Sequence, residues 1–184
     1  MTQLFFLQMS GAPGSGKTTV AKAIGKATGA VVIDHDVTKS ALLAADLPLS
    51  VAGRASYQVL HAVAHHLLQQ GHSVIFDSPC FYDELLARGQ RLAEEYGAAY
   101  RYIECVLNDL GELDRRLQTR ERMPSQVSGI YVPTTHGSSQ TESGEALFQQ
   151  WIAHMKRPQS AYLTLDTARP REECIAAALA YLDI

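Results

Sequence analysis

Short apolar runs alternate with longer amphipathic stretches along the whole chain. LFFLQM, Leu4 to Met9, is too short for three helical turns and is closed by a Ser10-Gly11 turn signal, so it reads as a buried strand. Behind it, Val20, Ala23, Ile24 and Ala27 fall at helical spacing. The alternation then repeats. Ala30 to Ile33 is a second strand, ending at Asp34, and Val37 to Ala45 a short helix closed near Pro48. Tyr57 to Gln70 carries Val59, Leu60, Val63, Ala64, Leu67 and Leu68 on an amphipathic helix that Gly71 stops. Ser73 to Phe76 is a third strand, ending at Asp77, followed by a helix from Leu85 to Tyr96 that stops at Gly97. Tyr100 to Leu107 is a fourth strand, and a charged helix over Leu110 to Arg122 ends before Pro124. A helix from about Ser143 to Lys156 puts Leu147, Trp151 and Met155 on one face. Tyr162 to Leu165 is a fifth strand, and Pro170 opens the last helix with Glu172 and Glu173 in its first turn.

Strands alternating with helices predict an α/β fold with a parallel sheet covered on both faces and ligands at the carboxyl ends of its strands. Asp34, Asp77 and the loop after the first strand all directly follow strands, so they should share one edge of the sheet. Residues 123–143, rich in Ser, Thr and Gly, break the regularity. Connections of that length are usually lids, binding loops or disordered segments, and a mobile, substrate-gating loop is expected here, against a solvated insertion without a role.

A length of 184 residues fits one domain over 1–184. The net charge of −3 with a pI near 6.1 gives no general basic surface for bulk adhesion to nucleic acid or anionic lipid. Cys80, Cys105 and Cys174 are few and far apart, which fits free structural thiols in a reducing cytoplasm rather than a disulfide framework or zinc site. The N-terminus lacks a basic n-region, and no run approaches the roughly 18 apolar residues of a membrane span, so a soluble, cytoplasmic chain is expected. No stable protein partner can be inferred.

The chemistry starts at SGAPGSGKTT. Gly11-xxxx-Gly16-Lys17-Thr18 matches the phosphate-binding P-loop, and it joins a strand to a helix as that motif requires. Glycines let backbone N–H groups curl inward without Cβ clashes, and with the helix N-terminus they form an anion cradle. The cradle would span Gly11, Ala12, Pro13, Gly14, Ser15, Gly16, Lys17, Thr18 and Thr19. Lys17 would reach the β- and γ-phosphates, and Thr18 would offer its hydroxyl to Mg²⁺. A flexible turn with a solvated lysine is the plain alternative.

Asp34 and Asp36 stand two apart, so in an extended chain both carboxylates point one way and His35 the other. Lys39 follows Asp36 by three positions, placing ammonium and carboxylate on one helical face. An enzyme that phosphorylates a hydroxyl needs one Asp to orient the acceptor and take its proton, and a cation facing the phosphoryl group. The competing reading of Asp36 is a helix N-cap. Asp77 ends an apolar strand as a Walker-B acid would; it could hold a Mg²⁺-bound water, contact the acceptor, or be an ordinary strand-end Asp. Arg116 and Arg120 lie four apart on a helix beside the long loop. An arginine delivered to the transferring phosphoryl is worth about 10³ to 10⁵ in rate, while Glu112, Asp114 and Glu121 permit a salt-bridged surface helix instead. HAVAH, His61 to His65, lacks the glutamate of a zinc helix and reads as a helix face. Trp151 could stack on a base, but its periodicity assigns it to the core.

Taken in order, GAPGSGKT, Asp36-Val37-Thr38-Lys39 as a D-x-x-[RK] element, VIFDS, Arg116 to Arg120 as R-x-x-x-R, and LDT at Leu165 to Thr167 resemble the P-loop kinases of the polynucleotide 5′-hydroxyl kinase, zeta-toxin and chloramphenicol phosphotransferase kind. The resemblance covers nearly the whole chain. It implies a three-layer P-loop fold with five parallel strands in the order 2-3-1-4-5, ATP with Mg²⁺, a base matching Asp36, and an arginine-bearing lid around 109–143 that holds Arg116 and Arg120. It also implies that Thr167 lies near the nucleobase. Two departures stand out: Lys39 replaces the arginine common in the nucleic-acid kinases, and residues 123–143 have no counterpart in the group. The expected activity is transfer of the γ-phosphoryl of ATP, with GTP not excluded, to a hydroxyl of a small molecule or a nucleic-acid 5′-end, with Asp34, Asp36, Lys39 and Asp77 facing the acceptor. The alternative is an ATPase or nucleotide-dependent module without an acceptor. A GTPase is disfavoured because N-K-x-D and D-x-x-G elements are missing.

Overall fold

The computed structural model describes residues 3–131 and 144–183. Its elements, in chain order, are β1 (Phe5–Ser10), α1 (Lys17–Thr28), β2 (Val31–Asp34), α2 (His35–Ala44), α3 (Leu49–Gln69), β3 (Val74–Asp77), α4 (Asp83–Glu95), β4 (Ala99–Val106), α5 (Leu110–Thr119), α6 (Gly144–Ala153), β5 (Leu163–Asp166) and α7 (Arg171–Tyr181). The five strands form one sheet in the order β2-β3-β1-β4-β5, and every pairing is parallel. This is the order that the resemblance to the P-loop kinases implies.

Alternation along β1 builds the three layers. Phe5, Leu7 and Met9 face a core with Val20, Ala21 and Ile24 of α1 and Cys174 and Ala178 of α7. Phe6 faces the opposite way, into a core with Phe76, Leu60, Ala64, Leu68 and Ala93 from β3, α3 and α4. Successive strand residues point to opposite faces, so a strand covered on both sides must be apolar nearly throughout, and all six residues of β1 are buried. Truncating Phe6, which has no exposed surface, to alanine should cost about 3–5 kcal/mol.

Several boundaries differ from the sequence reading, each for a local reason. α3 begins at Leu49, behind Pro48, rather than at Tyr57. Its first half packs through the small, fully buried Ala52 and Ser56, which leave no large-residue periodicity to read. α2 begins at His35, so the chain is already helical where an extended Asp34-His35-Asp36 was considered. α5 ends at Thr119, and Arg120 has extended dihedrals (φ −75°, ψ 149°), so Arg116 and Arg120 do not stack along one helix. α6 is shorter than expected and Met155 lies beyond it, though buried. The expected start of that helix at Ser143 and most of the expected gating loop, 132–143, lie outside the described residues. All three cysteines are buried free thiols. Among the described residues no helix is long and apolar enough to cross a membrane.

Candidate active site

The carboxyl edge of the sheet gathers the loop after β1, the ends of β2 and β3, and the segment that follows α5. Gly11 has φ +130°, and a Cβ there would run into the Cys105 carbonyl oxygen and lie 2.6 Å from Ser15 Oγ, so only glycine fits the loop's first position. Gly16, at φ 88°, is the N-cap of α1 and supplies no side-chain hydrogen bond, leaving the first-turn N–H groups uncapped by any side chain at the cap. Lys17 folds back onto the same loop, where Nζ donates to the carbonyl oxygens of Gly11 and Ala12, both at 2.9 Å. Its enclosure lowers the ammonium pKa, and the carboxylates of Asp77 and Asp36 act against that shift. Gly11, Ala12 and Ser15 are buried and shape the loop from beneath, whereas Pro13, Gly14, Gly16, Lys17, Thr18 and Thr19 line a cavity.

β2 and β3 pair so that Asp34 lies opposite Asp77. Asp34 Oδ1 accepts from the amides of Asp36, at 2.8 Å, and Val37, at 3.4 Å, so the helix-capping role considered for Asp36 belongs to Asp34. Asp77 is 3% exposed and its Oδ2 has no hydrogen-bond partner among the described residues. Burial, then the charge of Asp34, pushes its carboxyl up to about 6, against the pull of Lys17 and the Thr18 hydroxyl. A buried carboxylate with one free oxygen beside a threonine hydroxyl is an oxygen-donor set suited to Mg²⁺ with water in between. Thr18 and Asp77 therefore fit the ion that the P-loop implies.

Asp36 sits in the first turn of α2. Burial pushes its carboxyl upward, but neighbouring His35, the Gln126 amide and the Lys17 charge outweigh this and hold it at about 2. Gln126 Nε2 donates to Asp36 Oδ2 at 2.8 Å. His35 Nδ1 stands 3.7 Å from Asp36 Oδ1, too long for a hydrogen bond. The Gln126 segment is strapped to α2: Ser125 Oγ donates to the Asp36 carbonyl oxygen at 3.0 Å, and Ser40 Oγ to Ser125 Oγ at 2.8 Å.

The two arginines behave differently. Arg116 bridges Glu112, through Nε to Oε1 at 2.8 Å, and the Thr167 carbonyl oxygen, through Nη2 at 2.9 Å. Thr167 Oγ1 in turn donates to the Ser15 carbonyl oxygen at 2.9 Å, tying the turn after β5 to the P-loop. Arg120 Nη2 donates to the Val127 carbonyl oxygen at 3.1 Å, while its Nε is buried without a partner among the described residues.

These groups border two adjoining cavities. The first, about 680 Å³, is lined by Gly14, Gly16, Lys17, Thr18, Thr19, Asp34, Asp36, Asp77, Arg116, Arg120 and Thr167. The second, about 600 Å³, is lined by His35, Asp36, Lys39, Arg54, Tyr57, Arg88, Arg120, Gln126 and Trp151 among others. Asp36, Arg120 and Gln126 belong to both walls.

A family described as an AAA domain matches residues 7–158. The chain belongs to this AAA domain family. The matched part of this AAA domain runs from β1 past α6 and includes the P-loop, Asp36, Asp77, Arg116 and Arg120, with Thr167 beyond it. Solved structures share its fold. A kinase candidate from Chloroflexus aurantiacus is 18% identical with a TM-score of 0.73, over 97% of this chain and 98% of that one. A gluconokinase from Sinorhizobium meliloti is 20% identical with a TM-score of 0.61, over 100% and 94%. The APS kinase of Mycobacterium tuberculosis in complex with AMPPNP and APS is 21% identical with a TM-score of 0.65, over the full length of both chains. No curated protein matches this AAA domain by sequence.

Sequence reasoning did not single out His35, Arg54, Tyr57, Arg88 or Gln126. His35 is buried and stacked on Tyr57, with ring centroids 4.2 Å apart, and nothing in the local pattern separates such a pair from ordinary helix residues. Trp151, assigned to the core, packs on Phe148 at 4.9 Å and also reaches the second cavity. Of the HAVAH histidines, His61 packs on Phe76 and His65 meets Tyr96, and no group of three metal-ligating residues occurs among the described residues.

Proposed function

We propose that this AAA domain is an ATP- and Mg²⁺-dependent kinase that transfers the γ-phosphoryl group to a hydroxyl of a small molecule or a nucleic-acid 5′-end, as do the polynucleotide kinase, zeta-toxin and chloramphenicol phosphotransferase groups it resembles. GTP could serve in place of ATP. One observation carries the reading: Asp36 and Arg120 stand on the wall common to two cavities, one built on the P-loop and the other on α2, α3 and α4. A phosphoryl donor and an acceptor held one in each would meet at those two side chains.

In this reading the P-loop amides and the α1 N-terminus bind the β- and γ-phosphates, and Lys17 exchanges its two carbonyl partners for phosphate oxygens. Thr18 and Asp77 would hold Mg²⁺, which supplies neutralising charge at the phosphate oxygens. Asp36 orients the acceptor hydroxyl and accepts its proton as the new oxygen–phosphorus bond forms and the bond to the β-phosphate oxygen breaks. Its low pKa keeps it ionised at neutral pH, which suits a loose transition state in which the proton leaves late. Arg120, whose Nε has no hydrogen-bond partner among the described residues, faces the transferring group. Arg116 reaches it after release from Glu112, or holds Thr167 beside the nucleobase. Lys39 completes the acceptor side, whereas Asp34, expected there, caps α2 and lines the P-loop cavity instead.

The experiment is ATP labelled at the γ-phosphate, offered with 5′-hydroxyl oligonucleotides, nucleosides, sugars and aminoglycosides. Label retained on an added hydroxyl compound supports the kinase; label recovered only as free phosphate identifies an ATPase instead.

A further inference from the structure

We propose that the second cavity contains an anion-binding subsite formed by Lys39, Arg54 and Arg88, and that its occupant is a small hydroxyl compound carrying a carboxylate or phosphate. The inference rests on the kinase reading only for the occupant's hydroxyl.

The charge pattern is local and reversed. The chain as a whole is at −3, yet Lys39, Arg54, Arg88 and Arg120 line this one cavity against Asp36 and Glu84. Six other cations are in ion pairs, Arg115 and Arg116 with Glu112, Arg157 with Glu104, Arg169 with Glu173, Lys156 with Asp83 and Arg101 with Asp183, while Lys22, Lys26, Arg91, Arg122 and Arg171 are in none among the described residues, so convergence on one cavity, rather than the lack of a partner, marks the three. Among the described residues Lys39, Arg54 and Arg88 form no ion pair.

Local structure holds the three together. Lys39 of α2 passes over Gly53 of α3, where an added Cβ would lie 4.0 Å from its Cε, next to Arg54 in sequence. Gln58, one helical turn beyond Arg54, accepts from Arg88 Nη1 of α4 through Oε1 at 3.0 Å. That neutral partner positions the guanidinium without neutralising it. Arginines offer planar, forked donors that match carboxylate and phosphate oxygens, and lysine adds a point charge. Phe81 and Trp151 supply an apolar side to the same space. A volume of about 600 Å³ suits a small molecule, and a net charge of −3 gives no general basic surface for a polynucleotide.

Trp151 is the chain's single tryptophan and lines this cavity, so its emission reports occupancy without any turnover. With AMPPNP and Mg²⁺ present throughout, the protein is titrated with matched pairs, D-gluconate and D-glucose, D-glycerate and glycerol, and separately with glucose 6-phosphate and a 5′-hydroxyl oligodeoxynucleotide. At least one small anion should change the emission where its neutral partner does not. Arg54→Gln and Arg88→Gln should each weaken that anion about tenfold, Arg54→Lys less, and Arg91→Gln, on the same helix as Arg88 but away from the cavity, should not. Circular dichroism checks that the variants fold. Equal response to charged and neutral partners, no response to any anion, wild-type affinity in both Gln variants, or tightest binding by the oligonucleotide would overturn the proposal. Anion binding without phosphoryl transfer in the labelled-ATP assay would leave this subsite standing and remove the kinase reading.

Discussion

The side-chain amide of Gln126 donates to Asp36 Oδ2 at 2.8 Å, occupying one oxygen of the carboxylate to which the proposed mechanism brings the acceptor hydroxyl. An N–H donor and an O–H donor make the same demand of a carboxylate oxygen, so an acceptor hydroxyl bound in the Gln126 position on Oδ2 displaces the amide. Until then the amide keeps water from that oxygen. Gln126→Ala should therefore raise ATP hydrolysis without acceptor severalfold and leave the Kd for ATP within about twofold, as measured by phosphate release and by calorimetry. Unchanged basal hydrolysis would show that this contact guards nothing.

Lys17→Ala and Asp36→Asn should separate binding from chemistry. In the proposed mechanism Lys17 and the uncapped N–H groups of α1 hold the same phosphates, so its loss should weaken nucleotide binding and abolish transfer. Asp36→Asn keeps the shape of the wall but cannot take a proton, and transfer should fall by about 10²- to 10⁴-fold with ATP affinity nearly intact. A wild-type transfer rate in Asp36→Asn would remove Asp36 as the base.

The parallel sheet was legible because β1 and β3 are short, apolar and closed by turn residues, its strand order only through the resemblance to the P-loop kinases, and the P-loop because few other sequences put Gly11, Gly16 and Lys17 between a strand and a helix. The acceptor side was far less legible. Arg54 and Arg88 lie 34 positions apart and come together only because α3 and α4 pack side by side, and Gln126 reaches Asp36 across 90 residues. Arg120 was noted for its spacing from Arg116, yet α5 ends before it, so the helical argument pointed to the right cavity for a reason the structure does not bear out. Local periodicity encodes elements; contacts between distant loops and helices are set by packing.

Asp77 should set the acid limit of metal-dependent nucleotide binding. Burial raises its carboxyl to about 6, and only the ionised form can hold Mg²⁺ through water, so MgATP binding should weaken as pH falls through 6. Mass action by the cation opposes protonation, and raising Mg²⁺ should move the midpoint to lower pH. Asp36, near 2, stays ionised over this window and cannot cause the limb. Fluorescent-nucleotide titrations between pH 5 and 8 at two Mg²⁺ concentrations test this. A midpoint that ignores Mg²⁺ would assign the limb to another group.

His61 gives the fold its own acid sensitivity, away from the cavities. It is 7% exposed, packs on Phe76 with ring centroids 4.9 Å apart, and neither ring nitrogen has a hydrogen-bond partner among the described residues. Burial, aided by the charges of Arg88 and Arg91, pushes its pKa down to about 4. The unfolded chain takes up a proton near the ordinary value of about 6.5, whereas the folded chain resists until about 4. Stability is therefore full above 6.5 and declines as pH falls through that window. The loss is at most about 3 kcal/mol, and nearer 2 once solvent screening is allowed for. Asp77 acts with the opposite sign over pH 6 to 3.8, since its raised pKa favours the folded state as pH falls. The informative quantity is thus the difference between wild type and His61→Leu, in which Asp77 is common to both. Between pH 6.5 and 4.5 the wild-type Tm should fall by about 4–8 °C more than that of His61→Leu. Parallel Tm curves for the two proteins would mean that His61 is protonated, or solvated, in the folded chain.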